Sequence, residues 1–291
     1  LKAMSPDQAV AATAEAMKGI DTVLHLAALA AAHCPDPNGF MQANAWAVEM
    51  LLDEAAKAGV SRFVHVSSIV TLPPERPAPQ RGIRRRPTPY ALSKIASEKL
   101  VGQYAEAGNH AVIVRPTRVH GPGPWNDANG TTRLMAMYLR GRFRFRVADR
   151  DVQANYVYVK DVVQGILLAA SRGRGGESYQ LGGANATLAE FLQAVSQVSG
   201  IQRRVLTVPA QIVAPVAHLA AGYGRLGGTP SLTPEWLNNF LEHRPIDISR
   251  TQRDLGYEPL NLHDGIAETI PWLLQPEGGE SHAHQIRDRP P

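Results

Sequence analysis

With a single cysteine, Cys34, among its 291 residues, the chain can form no internal disulfide and no thiolate metal cluster. That scarcity points to a reducing, cytoplasmic setting. No apolar run approaches the ~18 residues that a membrane span needs, and no signal peptide is recognisable, so no membrane contact is expected. Charged residues make up 19% and the formal net charge is +4, small for this length. Apart from Arg84-Arg85-Arg86 the arginines are scattered, and no nucleic-acid partner is expected. That triplet reads as a solvated loop, with contact to an anionic substrate as the alternative. No metal site is expected: the histidines of the last segment are too sparse to make one. The hydrophobic content of 44% suits a soluble globular protein with one large or two modest domains.

What is present is an alternation of strands and helices. Ser5-Pro6-Asp7-Gln8 reads as a capped helix start, running to about Met17 and stopping at Gly19. Asp21–Ala28 reads as a short buried strand ending in small residues, with His25 as a packed core residue more than a ligand. Helix is expected from Phe40 to Ala58, closed by Gly59, then a strand at Arg62–Ser67. A proline- and arginine-rich loop leads to a helix from Tyr90 to near Gly108, and Ala111–Val114 is a further strand. Later come a helix near Thr131–Arg140, strands at Asn155–Lys160 and Ser178–Gly183, and a capping box at Thr187–Glu190 for a helix ending at Gly200. Two more helical stretches are expected, with a cap at Thr233-Pro234. A short helix should end at Leu255-Gly256, a last one should cover His263–Leu274, and a disordered tail should follow from 276 to 291. Such alternation predicts an α/β fold, a parallel sheet with helices on both faces, with ligands bound outside the carboxyl ends of the strands. Ala27-Ala28, Ser67-Ser68 and Arg115-Pro116 all fall at such ends.

The chemistry concentrates between Ser67 and Lys94. Tyr90 and Lys94 are four apart and share one helix face. An ammonium beside a phenol is expected to lower the phenol's pKa, so Tyr90 can exchange a proton with an alcohol near neutral pH. Ser68 can hydrogen-bond the same reacting oxygen. The bland alternative is an exposed tyrosine and a solvated lysine on a surface helix.

Taken together, His25-Leu-Ala-Ala28, Asn44, Val66-Ser-Ser68, Tyr90…Lys94, Arg115-Pro116…Gly121-Pro122-Gly123, Tyr156–Asp161, Tyr179–Gly183 and Leu255-Gly-Tyr257 resemble the extended short-chain dehydrogenase/reductase family, also called the NAD-dependent epimerase/dehydratase family. The resemblance implies a doubly wound, Rossmann-like sheet with a smaller, mostly helical C-terminal substrate region. Residues 1–122 with the returning segment 152–183 would bind the dinucleotide, and 123–151 with 184–275 the substrate. It implies NAD or NADP as cofactor, lined by Ala27, Ala28, Asn44, Ser67, Tyr90, Lys94 and Pro116. Tyr90 would be the acid/base, Lys94 its tuner and ribose ligand, and Ser68 the holder of the substrate oxygen. Arg118, His120 and Trp125 are the candidate substrate contacts, and a homodimer through the Asn44 and Tyr90 helices is possible.

The chain departs from the family pattern in three places. Ile69-Val70 stand where nucleotide-sugar dehydratases carry an Asp-Glu pair, and Arg118 stands where many sugar-nucleotide enzymes have asparagine. The likeness is greater to the branch of 3β-hydroxysteroid dehydrogenases and dihydroflavonol reductases. The family's opening Gly-x-x-Gly-x-x-Gly turn is not in this chain, and Gly173–Gly176 has the wrong spacing. About two strand–helix units of family pattern are therefore expected ahead of Leu1 in a longer parent, which would leave Thr22–Leu26 an uncovered edge here and the chain as given inactive. The expected activity is NAD(P)-dependent interconversion of a secondary alcohol and a ketone. A sugar epimerase using the same residues, or a non-catalytic sensor on this fold, are the alternatives.

Overall fold

The computed structural model describes residues 5–31, 34, 36, 38–75, 87–123, 125, 129–148, 152–209 and 242–275. Helix α1 (Pro6–Ala16) starts on the expected capping box between Ser5 and Gln8. Strand β1 (Thr22–His25) leads to α2 (Gly39–Met41), a π-helical turn (Gln42–Trp46) and α3 (Ala47–Ala58), which Gly59 ends at φ 70°. Strand β2 (Arg62–Val66), a 3-10 turn (Ile69–Thr71), α4 (Pro89–Glu106) and β3 (Ala111–Pro116) follow. Next come β4 (Arg118–His120), α5 (Gly130–Leu139), β5 (Phe145–Ala148), β6 (Gln153–Tyr158), α6 (Val159–Arg172) and β7 (Ser178–Leu181). The described chain closes with β8 (Ala184–Thr187), α7 (Leu188–Ser199), β9 (Leu206–Pro209), α8 (Ser249–Leu255) and α9 (Leu262–Leu274).

Four strands form a parallel sheet in the order β1-β2-β3-β7. Successive side chains of a strand face opposite ways, and β2 shows the consequence. Phe63 packs with Met17, Val48, Leu52 and Val101 of α1, α3 and α4. Val64 packs with Val162, Ile166 and Ala169 of α6 on the other face. The doubly wound α/β architecture expected from the alternation is the one observed. Leu255 and Tyr257, at and beyond the end of α8, are buried in that same α6 face, so part of the chain after residue 184 returns to the main sheet.

Two expectations need correction. Thr22–His25 is not a buried strand: among the described residues it pairs with β2 alone, and Leu24 and the following Leu26 are 37% and 55% exposed. An apolar run cannot tell a central strand from an edge strand, because only the neighbour decides. Among its described residues the later region also has strands beyond those expected, alongside helices α5, α7, α8 and α9. It holds a β4-β6-β8 sheet and a β5-β9 pair around a core of Leu134, Met135, Tyr156, Phe191, Ile266 and Ile270. Strands of three or four residues are too short to display alternation. Arg84–Arg86, the helical stretches and cap expected within 210–241, and the tail from 276 all lie outside the described residues.

Candidate active site

The carboxyl ends of β1, β2 and β3 and the first turns of α4 define the site. Thr88 caps α4 by accepting from Ala91 N (3.1 Å), and Pro89 occupies its first turn. Tyr90, Lys94 and Glu98 then descend the helix at intervals of four along one face. The Ser68 side chain lies close enough to the Tyr90 phenol to lower its pKa by hydrogen bonding. Lys94 is 1% exposed and its Nζ donates to Val66 O at 2.7 Å. Lys94 is thus anchored at the end of β2, two residues before Ser68.

Their electrostatics differ from the expectation. Burial raises the Tyr90 pKa, and the Ser68 hydrogen bond opposes that only in part. The phenolate was expected to be favoured by Lys94, but desolvation of the buried phenol is the larger influence and reverses the net direction. Burial also lowers Lys94 to about 8, against a raising influence from Glu98 one turn on. At neutral pH the site therefore holds a neutral phenol above a cation.

Sequence reasoning overlooked Glu98. It forms a two-pronged pair with Arg115 of β3, Oε1 to Nε at 2.8 Å and Oε2 to Nη2 at 2.7 Å. Ser67 Oγ donates to the same carboxylate at 2.6 Å, and Arg115 Nη1 reaches Ser178 Oγ of β7 at 2.8 Å. Burial alone would raise the Glu98 pKa, but bonds from Arg115, Ser67 and Thr71 outweigh it and hold the carboxyl below its usual value. The cluster ties α4 to β2, β3 and β7. The signal was in the sequence: Glu98 continues the Tyr90–Lys94 interval.

Asn44, buried in the π turn, accepts from Leu29 N at 2.7 Å and donates to Leu29 O and Ser93 Oγ at 3.0 Å each. It fixes the loop after β1 onto α4. That loop leaves Ala27 and Ala28 exposed, so its backbone is open at the strand ends. Ser67 spends its hydroxyl on Glu98, and Pro116 closes β3 beside Leu181.

Beneath Lys94 lies a buried histidine pair. His25 Nδ1 and His65 Nδ1 are 3.1 Å apart, and His65 Nε2 is 3.0 Å from Ser97 Oγ. Ser97 Oγ donates to Lys94 O, so His65 must donate through Nε2 and accept at Nδ1, and His25 must carry its proton on Nδ1. Burial, and then the Lys94 charge, lowers His25 to about 4. His65 is pushed well below its ordinary value by the same causes.

The candidate substrate residues disperse. The Arg118 guanidinium lies 5.8 Å from the centre of the Tyr156 ring. His120 is 2% exposed and bonded to Thr269 at 3.1 Å, and burial lowers it to about 4. Trp125 packs against Trp272 and beneath Arg140. His120 is enclosed in the α9 core and does not reach the Ser68–Tyr90 pair.

His25 and His120 carry a stability prediction. Their folded pKa values lie below the unfolded value, so stability is full above about 6.5 and falls as pH drops toward about 4. At about 1.4 kcal/mol per tenfold change in proton affinity, each ring withholds on the order of 3 kcal/mol below that window. Urea midpoints between pH 7 and 4 should therefore drop steeply. A flat profile in His25→Gln/His120→Gln and wild type alike would contradict the assignment.

The NAD dependent epimerase/dehydratase family model matches residues 5–182. This chain belongs to that family. Members of the family are enzymes that depend on NAD, and this one is 32% identical over 252 residues to the 4-hydroxy-2-methyl-3-oxo-4-farnesyl-3,4-dihydroquinoline-1-oxide ketoreductase of Stigmatella aurantiaca, spanning 84% of this chain and 74% of that protein. It is 28% identical over 273 residues to sterol demethylase protein B of Methylococcus capsulatus, spanning 90% and 81%. The crystal structure of gox2253 superposes with a TM-score of 0.72 at 27% identity, over 93% of this chain and 83% of that one.

The residues present fit the nicotinamide half of the family's cofactor. Lys94 keeps two N–H groups beyond the one given to Val66, the Ser68 and Tyr90 hydroxyls converge, and the Ala27-Ala28 backbone is open. Leucine or phenylalanine at 27 would cover that backbone. Exposed helices of the expected homodimer face carry Trp46, Leu92 and Ile95, which are 52%, 50% and 41% exposed. Among the described residues no helix is long and apolar enough to cross a membrane, and no group of three metal-ligating side chains occurs.

Proposed function

We propose that the protein reduces a ketone to a secondary alcohol, or runs the reverse reaction, with Tyr90, Ser68 and Lys94 as its working residues. The observation that carries this is Ser68 beside the Tyr90 phenol, with the buried Lys94 ammonium one helical turn on, bonded to the last residue of β2. Bound NAD or NADP supplies and accepts the hydride. Ser68 donates a hydrogen bond to the substrate oxygen and orients it. Tyr90 gives its phenolic proton to that oxygen as negative charge develops there, and Lys94 stabilises the phenolate left behind. Burial makes the phenolate costlier to form, and the Lys94 charge offsets that cost as the proton is given.

Water elimination is disfavoured, because Ile69 and Val70 offer no carboxylate beside Ser68. Likeness to a ketoreductase adds support from outside the site. An epimerase would use the same three residues for a transient oxidation, and no particular contact favours it. A panel of apolar ketones and secondary alcohols set against UDP-, GDP- and dTDP-sugars separates the two. Turnover is expected with the former; turnover confined to nucleotide sugars would replace this reading with the epimerase.

A further inference from the structure

The turn that begins at Ser68 has weak bonds of its own. Val70 N reaches Ser68 Oγ at 3.4 Å, while Thr71 N to Ser68 O and Leu72 N to Ile69 O both measure 3.2 Å. Arg244, from the far end of the chain, adds a second donor to Ile69 O, which already accepts from Leu72 N, and supplies one to Leu72 O just past the turn. Arg244 Nη1 donates to Ile69 O at 3.0 Å and also to Leu72 O, and Nη2 donates to Glu242 Oε2 at 2.9 Å. The Arg244 side chain is 14% exposed and that of Glu242 11%.

The root of this arginine is as fixed as its tip. Arg244 N donates to Gln153 O at 2.8 Å, and Gln153 N donates to His243 Nδ1 at 3.1 Å, so the backbone is held on β6. Two residues on, Ile246 exchanges bonds with the Asn185 side chain on β8, at 2.9 and 3.1 Å. The guanidinium therefore joins the β6–β8 sheet to the turn whose first residue touches Tyr90. A planar fork holds two carbonyls and a carboxylate in one fixed geometry, whereas an ammonium on a flexible stem leaves them free to shift.

We propose that Arg244 is a positioning residue: by capping the turn after Ser68 it fixes the Ser68 hydroxyl against Tyr90. This inference rests on the Ser68–Tyr90 reading above. Glu98 supports the same turn from the opposite side through Thr71, whose Oγ1 lies 2.9 Å from both Glu98 Oε1 and Ser68 O. Residue 244 thus controls an alignment that is set up 176 positions earlier in the chain.

The test is a cycle of Arg244→Ala, Ser68→Ala and the double variant, with Tyr90→Phe as reference, measured as kcat, KM and melting temperature on a turned-over ketone. Arg244→Ala should lower kcat about ten- to hundredfold, the scale of a 1 Å misplacement, with cofactor KM little changed. In the Ser68→Ala background the same change should cost almost nothing, because the two act as a unit. Millimolar guanidinium should restore part of the Arg244→Ala activity, and ethylammonium should not. Should Arg244→Ala not fold, Arg244→Lys is read in the same cycle. Equal losses from the arginine change with and without Ser68 would overturn the inference, as would wild-type kcat in Arg244→Ala beside an inactive Tyr90→Phe. Wild-type turnover by Tyr90→Phe overturns the underlying reading and takes the inference with it.

Discussion

Tyr90→Phe should lower turnover of the ketone by about 10²–10⁴-fold, the usual contribution of a placed acid or base, while NAD(P)H titrates almost as in wild type. The substitution deletes one hydroxyl and keeps the ring, whose edge-on contact with Phe40 at 6.3 Å holds the start of α4 in place. Lys94, with its bond to Val66 O, is untouched, so the nicotinamide-facing surface persists. The loss should fall on kcat and kcat/KM together, as when an interaction of the transition state is removed. In wild type, reduction should also decline as pH rises through about 8, where Lys94 loses its charge and can no longer stabilise the phenolate. Steady-state rates and cofactor fluorescence on one preparation measure both. Near-wild-type turnover by the phenylalanine variant would remove Tyr90 from the chemistry.

The largest stability effect is expected at Arg115. Changing it to methionine leaves Glu98 buried with only the Ser67 and Thr71 hydroxyls. Breaking a buried pair from one side costs about 3–5 kcal/mol, which lowers the melting temperature by roughly 10 °C in a chain of this size. The double variant Glu98→Gln/Arg115→Met should recover most of that, since no uncompensated charge remains. The sign with pH follows from the direction of the shift. In wild type the depressed Glu98 pKa contributes stability above the ordinary carboxyl value, and this is lost as pH falls through the folded value. In Arg115→Met burial raises that pKa instead, so protonation relieves the penalty and the gap to wild type narrows toward acid. Melting curves of the three proteins from pH 8 to 4.5 provide the check, and a double variant no more stable than Arg115→Met would refute the pairing energy.

The sequence by itself determined the order of elements and the local groups. The capping boxes at Ser5 and Thr187, the stops at Gly59 and Gly256 and the Tyr90–Lys94 interval depend on neighbours within one helical turn. Backbone chemistry acts at that range, so these features could be read directly. Strand alternation with helices likewise implied the parallel sheet and brought Ser68 to a strand end. An edge at Thr22–Leu26 also follows from the sequence pattern. Only the tertiary structure decided how far Leu24 and Leu26 are exposed along it, because exposure depends on what packs alongside. It also decided the sign of the Tyr90 shift: spacing placed an ammonium nearby, but burial of the phenol is the larger influence. The partners of Glu98, His65 and Arg244 lie 17, 40 and 175 residues away, on other elements. Contacts across such separations are set by how the sheets and helices pack, and no local pattern in the chain records them.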